Sequence, residues 1–500
     1  MSLASCAPAK IEPVINDGKS ESFVTKTPVP TPAPGEEPQN TDDTLATEDP
    51  AHDTAGLVTF TEDDTPMPSP SEETAAPETI SPETPDGSPS ATDVPGPTET
   101  PPAETPAGEL VTFLTLGSSK QGTPVSSVSE EFKNHYNDFA LKLMDLCSGE
   151  GGSLVSPLSV MTALLMTANG AKGETLEEML NVLFGSMSLE EANTEILSYY
   201  SGLVNSEDAS LEDANAVFFT DREDFSVSND FLEAVESLFK AAVAKASFTD
   251  PETVDIINNW CDENTDGMIK KVLNYDDVGV DTIMVLLNAL CFNAIWQEQY
   301  QDHQVRKGVF HGENGDSDVE LMYSTESGYI KGEREEGFVK YYKGGKYAFV
   351  ALLPEKGMDM SDYIKSLENG RLNSLIASGK GNCSAAIPEF KFDLSKELSD
   401  VLQVMGIVSA FSDFADLSGL GTLDSGDNLA VSKVIHKTHI EVDPSGTRAA
   451  AVTAVIVDRV TSIEPDEKPE VILDRPFLYA IVDTTSMLPV FIGTLTDIGA

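Results

Sequence analysis

Residues 441–477 read EVDPSGTRAAAVTAVIVDRVTSIEPDEKPEVILDRPF and contain the most informative pattern of this chain. After Gly446, the residues up to Val457 are almost all small or β-branched, which suits a strand buried in a sheet. With a period of two, one face of that strand would carry Thr447, Ala449, Ala451, Thr453, Val455 and Val457. A polar, proline-containing stretch follows directly. The pattern therefore predicts a segment with two conformations, an exposed loop in one state and a buried strand in another.

The first 126 residues differ in composition from the rest of the 500-residue chain. They contain 21 of the 30 prolines, with 22 acidic and 4 basic residues. Such a segment buries too little apolar surface to offset the entropy lost on ordering. We therefore expect a disordered acidic tether rich in Pro, Thr and Glu over residues 1–126 and one globular domain over 127–500. The string LVTF occurs twice in the tether, at Leu57–Phe60 and Leu110–Phe113, either as a docking motif or by chance.

The net charge of −53 excludes one class of partner. So acidic a chain repels a phosphate backbone, so nucleic acid is not an expected ligand, and solubility is the simplest role of the charge. The five cysteines are odd in number and widely spaced, which predicts neither a disulfide framework nor a zinc site. Cys147, Cys261 and Cys291 lie in apolar surroundings and are predicted core residues. We expect no metal and no cofactor.

Cys6 is a candidate lipid anchor. The string Leu3-Ala4-Ser5-Cys6 resembles a bacterial lipobox, in which the cysteine is lipidated after signal cleavage. Only five residues precede it, without a basic or an apolar signal region, so a truncated start and a chance match both stay open. We expect an extracellular protein of a bacterium, either secreted or tethered to the cell surface, with a possible membrane tether through lipidated Cys6.

Hydrophobic periodicity in the remaining chain predicts interleaved helices and strands. Helices are predicted at Glu130–Leu146, Ser159–Asn169, Lys172–Leu183, Ser228–Ala241, Pro251–Asn264 and Ser395–Met405. Strands are predicted at Thr282–Phe292, within Gly337–Pro354 around a turn at 343–345, and at Ala385–Phe392, Val431–Val442 and Leu478–Val482. Because no steady βαβ rhythm connects them, the pattern indicates an α+β fold.

Enzyme signatures are missing from the sequence. It contains no GxSxG, HExxH, Walker A or strand-associated GxGxxG motif. Of the six histidines, His436 and His439 share one predicted strand without a nucleophile nearby. We interpret His436 as a polar core contact rather than a catalytic base, and the protein is not expected to be an enzyme.

Several strings resemble one family, the serpins, in the order that the family has them. They are VSPLSVMTALLMTANGAKGETLEEM (155–179), INNWCDENTDGMI (257–269), VLLNALCFNAIW (285–296), VLQVMGIVSAFSDFADLSGL (401–420), VSKVIHKTHIEVDPSGTRAAA (431–451), DRPFLYAIVD (474–483) and PVFIGTL (489–495). The resemblance covers residues 127–500. It implies a large central mixed sheet, smaller sheets, about eight to nine helices and a reactive loop at about 444–470.

The resemblance also implies a mechanism. A serpin offers its reactive loop to a serine protease, which cleaves it and becomes attached as an acyl-enzyme. The freed loop then inserts into the central sheet and distorts the attached protease. The expected function is therefore a monomeric serine protease inhibitor that forms a covalent complex. The alternative is a non-inhibitory serpin that acts as a binding or surface-interaction protein.

Functional positions carry over from the family residue by residue. Those that hold the sheet shut before insertion are Ser156, Ser159, Asn288 and His436, and Trp296 marks the point where the loop enters the sheet. The hinge comprises Gly446, Thr447, Arg448, Ala449, Ala450, Ala451 and Val452. It departs from the family in Pro444-Ser445, where two acidic residues are usual, in Arg448, where glutamate is usual, and in Val452, where a small residue is usual.

Family spacing places the scissile residue fourteen positions after Gly446, at Val460. A Val460-Thr461 bond suits an elastase-like protease with a small hydrophobic pocket. A shift of one residue gives Arg459-Val460, a trypsin-like target, and the opposite shift gives Thr461-Ser462. The three registers stay open because the downstream segment is longer than usual.

Overall fold

A computed structural model describes residues 110–116, 127–203, 205–206, 208–447 and 468–499. The chain divides into two units, Met1–Thr98 and Glu99–Ala500, and every described residue belongs to the second. The predictions for Cys6, Leu57–Phe60, the hinge positions Arg448 to Val452, and the bonds at Arg459, Val460 and Thr461 lie outside the described residues.

The described part contains nine α-helices. They are α1 (Glu130–Leu146), α2 (Pro157–Ala168), α3 (Gly173–Phe184), α4 (Leu189–Gly202), α5 (Asn229–Phe239), α6 (Glu252–Asn264), α7 (Met360–Lys365), α8 (Arg371–Ser378) and α9 (Ser399–Met405).

Nineteen strands accompany them in the same ranges. They are β1 (Val111–Phe113), β2 (Gly152–Val155), β3 (Ala209–Thr220), β4 (Phe225–Val227), β5 (Ala242–Ala246), β6 (Met284–Ile295), β7 (Val305–His311), β8 (Asp316–Glu326), β9 (Gly328–Lys331), β10 (Glu335–Tyr341), β11 (Tyr347–Pro354), β12 (Cys383–Pro388), β13 (Phe390–Glu397), β14 (Gly421–Leu423), β15 (Ile435–Val442), β16 (Gly446–Thr447), β17 (Glu470–Ile472), β18 (Phe477–Asp483) and β19 (Pro489–Leu495).

The strands form four sheets. The largest has seven strands in the order β1-β5-β3-β6-β16-β15-β13 and is mixed, because β3 and β5 are parallel while its other neighbours are antiparallel. A six-stranded sheet has the order β2-β19-β18-β11-β10-β9, a four-stranded sheet β17-β12-β8-β7, and β14 pairs with β4. The predicted α+β fold with a large central mixed sheet is confirmed.

The central sheet separates two hydrophobic cores, and β6 contributes to both. Leu290 and Phe292 face the larger core, while Ala289 and Cys291 face a smaller core that also contains Cys261 of α6. This alternation explains why the sequence of β6 is almost continuously apolar. It also confirms that these two cysteines are core residues.

Helix α2 lies in the larger core and is buried almost all round. It begins at Pro157, whose missing N–H is not needed in the first turn of a helix. The side chain of Ser156 accepts a hydrogen bond from the Ser159 N–H at 3.2 Å and so caps the helix. The sequence pattern therefore places Ser156 and Ser159 together at one helix terminus.

Three predicted elements were wrong in extent. The predicted helix at Ser395–Met405 begins only at Ser399, because its first three residues complete β13 beside β15. The predicted strand at Ala385–Phe392 is two strands, which belong to different sheets and are separated at Glu389. Pro388 lacks the N–H that would continue a ladder, and this explains the break. The predicted strand at Val431–Val442 begins at Ile435.

The second LVTF copy, at Leu110–Phe113, docks on the edge of the central sheet. Val111, Thr112 and Phe113 pair with β5, and the Phe113 ring lies 6.5 Å from the Trp260 ring and 6.1 Å from the Phe218 ring. Aromatic contacts of this kind stabilise a short edge strand that three residues of ladder would hold weakly. This copy is therefore a docking motif, whereas Leu57–Phe60 lies outside the described residues.

Replacing Phe113 by alanine is expected to loosen β1. The lost aromatic pairing is worth about 1 kcal/mol, so exchange of the Ser247 N–H, which donates to the Leu110 carbonyl at 2.9 Å, should become about fivefold faster. Hydrogen exchange read by mass spectrometry measures this rate. The control is Phe414→Ala, because the Phe414 ring is 88% exposed. Equal exchange in the two variants would show that the ring does not hold the strand.

Candidate functional site

The hinge begins inside the central sheet. Gly446 lies opposite Ile295, and buried Thr447 lies between Ala294 of β6 and Val442 of β15. A Cβ atom on Gly446 would lie 2.1 Å from the carbonyl oxygen of Ala294, so only glycine fits at this position. The first two predicted hinge residues therefore already form a short strand between their neighbours.

Trp296 holds the chain just before the hinge. Its backbone N–H donates to the Ser445 carbonyl, and its indole N–H donates to the Asp443 carbonyl, both at 2.9 Å. The indole stacks on the Tyr342 ring at 4.5 Å, and the Tyr342 hydroxyl is hydrogen-bonded to the Thr447 hydroxyl. Trp296 thus lies where the chain enters the sheet.

Pro444 and Ser445, which replace the usual acidic pair, form a tightly held turn. The Pro444 carbonyl accepts from the Tyr300 N–H at 3.0 Å. The Asp443 carboxylate accepts from the Ser445 N–H at 2.6 Å and from the Gly446 N–H at 3.0 Å. Backbone contacts and the Asp443 carboxylate therefore fix this turn without acidic side chains at 444 and 445.

The four positions expected to hold the sheet shut lie together below the hinge. The Ser156 N–H donates to Nε2 of His436 at 3.1 Å, and the Ser156 hydroxyl donates to the Val490 carbonyl at 2.9 Å. The Ser159 hydroxyl reaches the Asn288 carbonyl at 3.4 Å. These contacts connect α2 to β15, β19 and β6.

His436 is neutral in this arrangement. Its side chain is buried, and desolvation lowers the pKa of its imidazole to about 4. A neutral ring has one nitrogen free to accept the Ser156 N–H, whereas a protonated ring does not. The interpretation of His436 as a polar core contact agrees with this geometry.

Sequence reasoning missed two residues of the same cluster, Asp213 and Asn215 of β3. The Asn288 side-chain amide donates to the Asp213 carboxylate at 2.9 Å and to Oδ1 of the Asn215 side chain at 2.6 Å. Desolvation raises the pKa of Asp213 to about 6, although hydrogen bonds from both amides oppose the rise and solvent still reaches the residue from one side. The available signal was two polar residues with a spacing of two, directly before the apolar run from Ala216 to Phe219.

The amide of Asn288 leaves one atom unsatisfied. Its Oδ1 is buried and has no hydrogen-bond partner among the described residues. A buried acceptor without a donor costs free energy, and native structures contain few of them. Asn288 is also one of the residues that line the cavity described next.

A cavity of about 470 Å³ lies below β16. Its walls include Met284–Asn288 of β6, the chain from Asn428 to His436, and Ser159 of α2. Within the described ladders, β6 and β15 are joined only through the two residues of β16. The short strand β16 therefore closes the central sheet at one end, and the cavity lies between β6 and β15 below it.

The described ranges contain neither a metal-binding cluster nor a membrane-spanning helix. No group of three or more His, Cys, Asp or Glu residues there is placed to hold a metal ion. No helix in these ranges is long and apolar enough to cross a membrane. The four described cysteines are free and buried, and burial raises the pKa of the Cys147 thiol to about 11, which makes it a poor nucleophile.

A family model described as serpin (serine protease inhibitor) matches residues 134–498. The chain belongs to the serpin family. Members of this family are typically protease inhibitors rather than enzymes. In this serpin, the match covers the cluster around His436, the short strand β16 and every strand of the seven-stranded sheet except β1.

Known relatives support the same assignment. This serpin is 28% identical to an uncharacterised serpin-like protein of Thermococcus kodakarensis, over 81% of this chain and 93% of the relative. It is 30% identical to Serpin-Z3 of Arabidopsis thaliana, over 72% of this chain and 95% of the relative. The crystal structure of the thermophilic serpin tengpin in the native state matches with a TM-score of 0.70 and 39% identity, over 76% of this chain and 98% of that structure.

Proposed function

We propose that this serpin inhibits a serine protease by trapping it as a covalent acyl complex. After cleavage, the segment that begins at Thr447 would insert between β6 and β15. The observation that carries the proposal is the arrangement of these strands, which a two-residue strand joins at one end above a cavity of about 470 Å³.

The register of β16 supports insertion along the full length of β6. Thr447 lies opposite Ala294, so continued antiparallel pairing would put Thr453 opposite Asn288 and Val457 opposite Met284, the first residue of β6. The twelve residues from Thr447 to Asp458 span about 40 Å as a strand. The face made of small and β-branched residues would then point to the same side as Leu290 and Phe292, toward the larger core.

The partner strand supports the same register. Thr447 lies opposite Val442 of β15, so Thr453 would lie opposite His436. The hydroxyl of Thr453 would thus arrive between Asn288 and His436. There it supplies a donor for Oδ1 of Asn288, which lacks a partner in the described structure. Insertion would therefore satisfy a buried acceptor.

The covalent step belongs to the protease. Its serine oxygen attacks the carbonyl carbon of the scissile residue, and the serine proton passes through the protease's general base to the departing amine. The peptide C–N bond breaks and an ester to the protease remains. Insertion before water hydrolyses this ester would carry the protease away from the loop's starting position and distort its active site.

The proposed scissile bond rests on the family spacing, which places the scissile residue at Val460. Val460-Thr461 suits an elastase-like protease, and Arg459-Val460 is the trypsin-like alternative. The loop sequence supports inhibition, because its inward positions from Thr447 to Val457 are small or β-branched and fit a buried strand. The outward Arg448 can extend its side chain into solvent.

Incubation with elastase or trypsin tests the proposal. We expect a band that resists denaturant on gels, with the summed mass of the protease and the N-terminal fragment, and mass spectrometry of the released peptide identifies the cut bond. Protease with a blocked active-site serine is the control. Cleavage without a stable complex, and without a rise in melting temperature of the cleaved chain, would instead favour a non-inhibitory binding serpin.

We further propose an extracellular location in a bacterium, with Cys6 as a possible lipid anchor. The support is the string Leu3–Cys6 and the long acidic stretch that follows it. Expression of the natural gene, followed by cell fractionation and fatty-acid analysis of wild type and Cys6→Ser, tests the anchor. Equal release of both forms into the medium would show that Cys6 anchors nothing.

A further inference from the structure

A lysine is buried beside the hinge, where an uncompensated charge would be costly. The Lys340 side chain is 3% exposed, and its ammonium lies 2.9 Å from the Glu326 carboxylate, whose side chain is 10% exposed. It also lies 4.3 Å from the Tyr300 ring centre and 5.3 Å from that of Trp296. The Glu326 carboxylate accepts in addition from the Ser324 hydroxyl at 2.6 Å.

The two aromatic residues around Lys340 hold the turn before the hinge. The Trp296 N–H donates to the Ser445 carbonyl, and the Tyr300 N–H donates to the Pro444 carbonyl. The Tyr300 hydroxyl is in turn 3.3 Å from the Ser324 hydroxyl, which is bonded to Glu326. One buried ion pair therefore lies beside the two residues that make these backbone contacts with the turn.

Desolvated cation–π contacts are stronger than exposed ones, and they depend on the position of the cation over each ring. Glu326 fixes the Lys340 ammonium from a different sheet, since Glu326 ends β8 and Lys340 lies in β10. The ion pair thus fixes the orientation of Trp296 and Tyr300. Their backbone donors then keep Gly446 and Thr447 in register with β6.

We propose that Lys340, held by Glu326, is a positioning residue for loop insertion. It acts through Trp296 and Tyr300 to keep β16 ordered, and this two-residue strand is the nucleus from which the cleaved loop adds to the sheet. An ordered nucleus speeds insertion relative to hydrolysis of the acyl ester. The role in insertion rests on the proposed inhibitory function, whereas the ordering of β16 does not.

The test variant is Lys340→Met with Glu326→Gln, which removes both charges with little change of volume and leaves no buried ion unpaired. We expect hydrogen exchange of the Gly446 N–H in the uncleaved full chain to become about tenfold faster. We also expect about tenfold more chains cleaved for each complex formed, because insertion slows by a similar factor. Lys340→Arg keeps the cation and should stay near wild type.

The matched control is Lys331→Met with Glu336→Gln. This ion pair also joins a lysine to a glutamate, here between β9 and β10. Its side chains are 63% and 38% exposed, and neither touches the hinge turn. In this control we expect the Gly446 N–H to exchange at the wild-type rate and the number of chains cleaved for each complex formed to equal that of wild type. A lower melting temperature in the Lys340 variant with unchanged exchange at Gly446 and unchanged partition would overturn the inference and leave Lys340 a purely structural residue.

The two proposals fail in different ways. If wild type forms no complex but exchange at Gly446 rises in the Lys340 variant, the inhibitory function is wrong and the ordering of β16 by Lys340 stands. If wild type forms complexes and the variant matches it in both measurements, the function stands and the positioning role is wrong.

Discussion

Under the proposed function, moving the hinge arginine by a single residue is expected to convert the protein from an inhibitor into a substrate. The double variant Arg448→Ala/Ala449→Arg keeps the composition and the charge of the chain. It moves the arginine from the outward to the inward face of the inserted strand. Position 449 would lie opposite Phe292 of β6 and Ile440 of β15 in the extended register, and both of these residues are buried. An arginine there would be an unpaired charge in an apolar core.

The cost of such a charge is at least about 3 kcal/mol, which corresponds to a decrease of about a hundredfold in complex formed per chain cleaved. The measurement is the ratio of protease-bound to merely cleaved chain on denaturing gels. The single variant Arg448→Ala is the control and should keep inhibiting, because its inward face is unchanged. Inhibition by the double variant at the wild-type level would rule out insertion in the register that β16 sets.

Acid is expected to weaken the cluster below the hinge through His436. The pKa of this histidine is about 4 in the folded protein, against an ordinary value of 6.5, so unfolding takes up a proton between these pH values. Its contribution to stability is complete above pH 6.5, decreases as the pH falls, and is lost near pH 4. The loss amounts to about 3 kcal/mol.

Asp213 acts in the opposite direction. Its pKa is raised to about 6 in the folded protein, so its contribution is largest at low pH and is lost as the pH rises from about 4 to 6. Solvent reaches Asp213, and we therefore expect a smaller effect than that of His436. The two contributions partly cancel in wild type.

Two variants separate the contributions. His436→Gln keeps an acceptor for the Ser156 N–H but cannot titrate, so its stability relative to wild type should improve as the pH falls from 6.5 to 4. Asp213→Ala should show a steeper loss than wild type over the same range. Urea unfolding at pH 7, 5.5 and 4.5 measures both. Parallel pH profiles for wild type and His436→Gln would contradict the assignment of a depressed pKa.

Much of the fold was predictable because its signals are local. The apolar face of α1, the two-sided hydrophobicity of β6 and the proline after Ser156 each report burial or a helix start within a few residues. The extents of α9 and β13 were not predictable in this way. The sequence from Ser395 to Glu397 fits a strand as well as a helix. Only the presence of β15 beside these residues decides for the strand.

For the site, too, the features with local signals were predictable from the sequence. A period-two face of small and β-branched residues after Gly446 is a property of the sequence itself, since strand geometry alone puts alternate side chains on one side. The chain order also provides the strings that resemble the serpins. From these, the loop, the hinge and the positions Ser156, Ser159, Asn288, His436 and Trp296 followed without coordinates.

Only the tertiary structure revealed what these positions touch. Asp213 joins Asn288 across 75 residues of chain, and Lys340 and Glu326 meet from different sheets beside the hinge. Neither pairing follows from spacing, because hydrogen bonds and ion pairs between strands depend on which strands become neighbours and in which register. The sequence determined which segment can become a buried strand, and the packing of the sheet decided where that strand has room and which buried groups lie beside its entry.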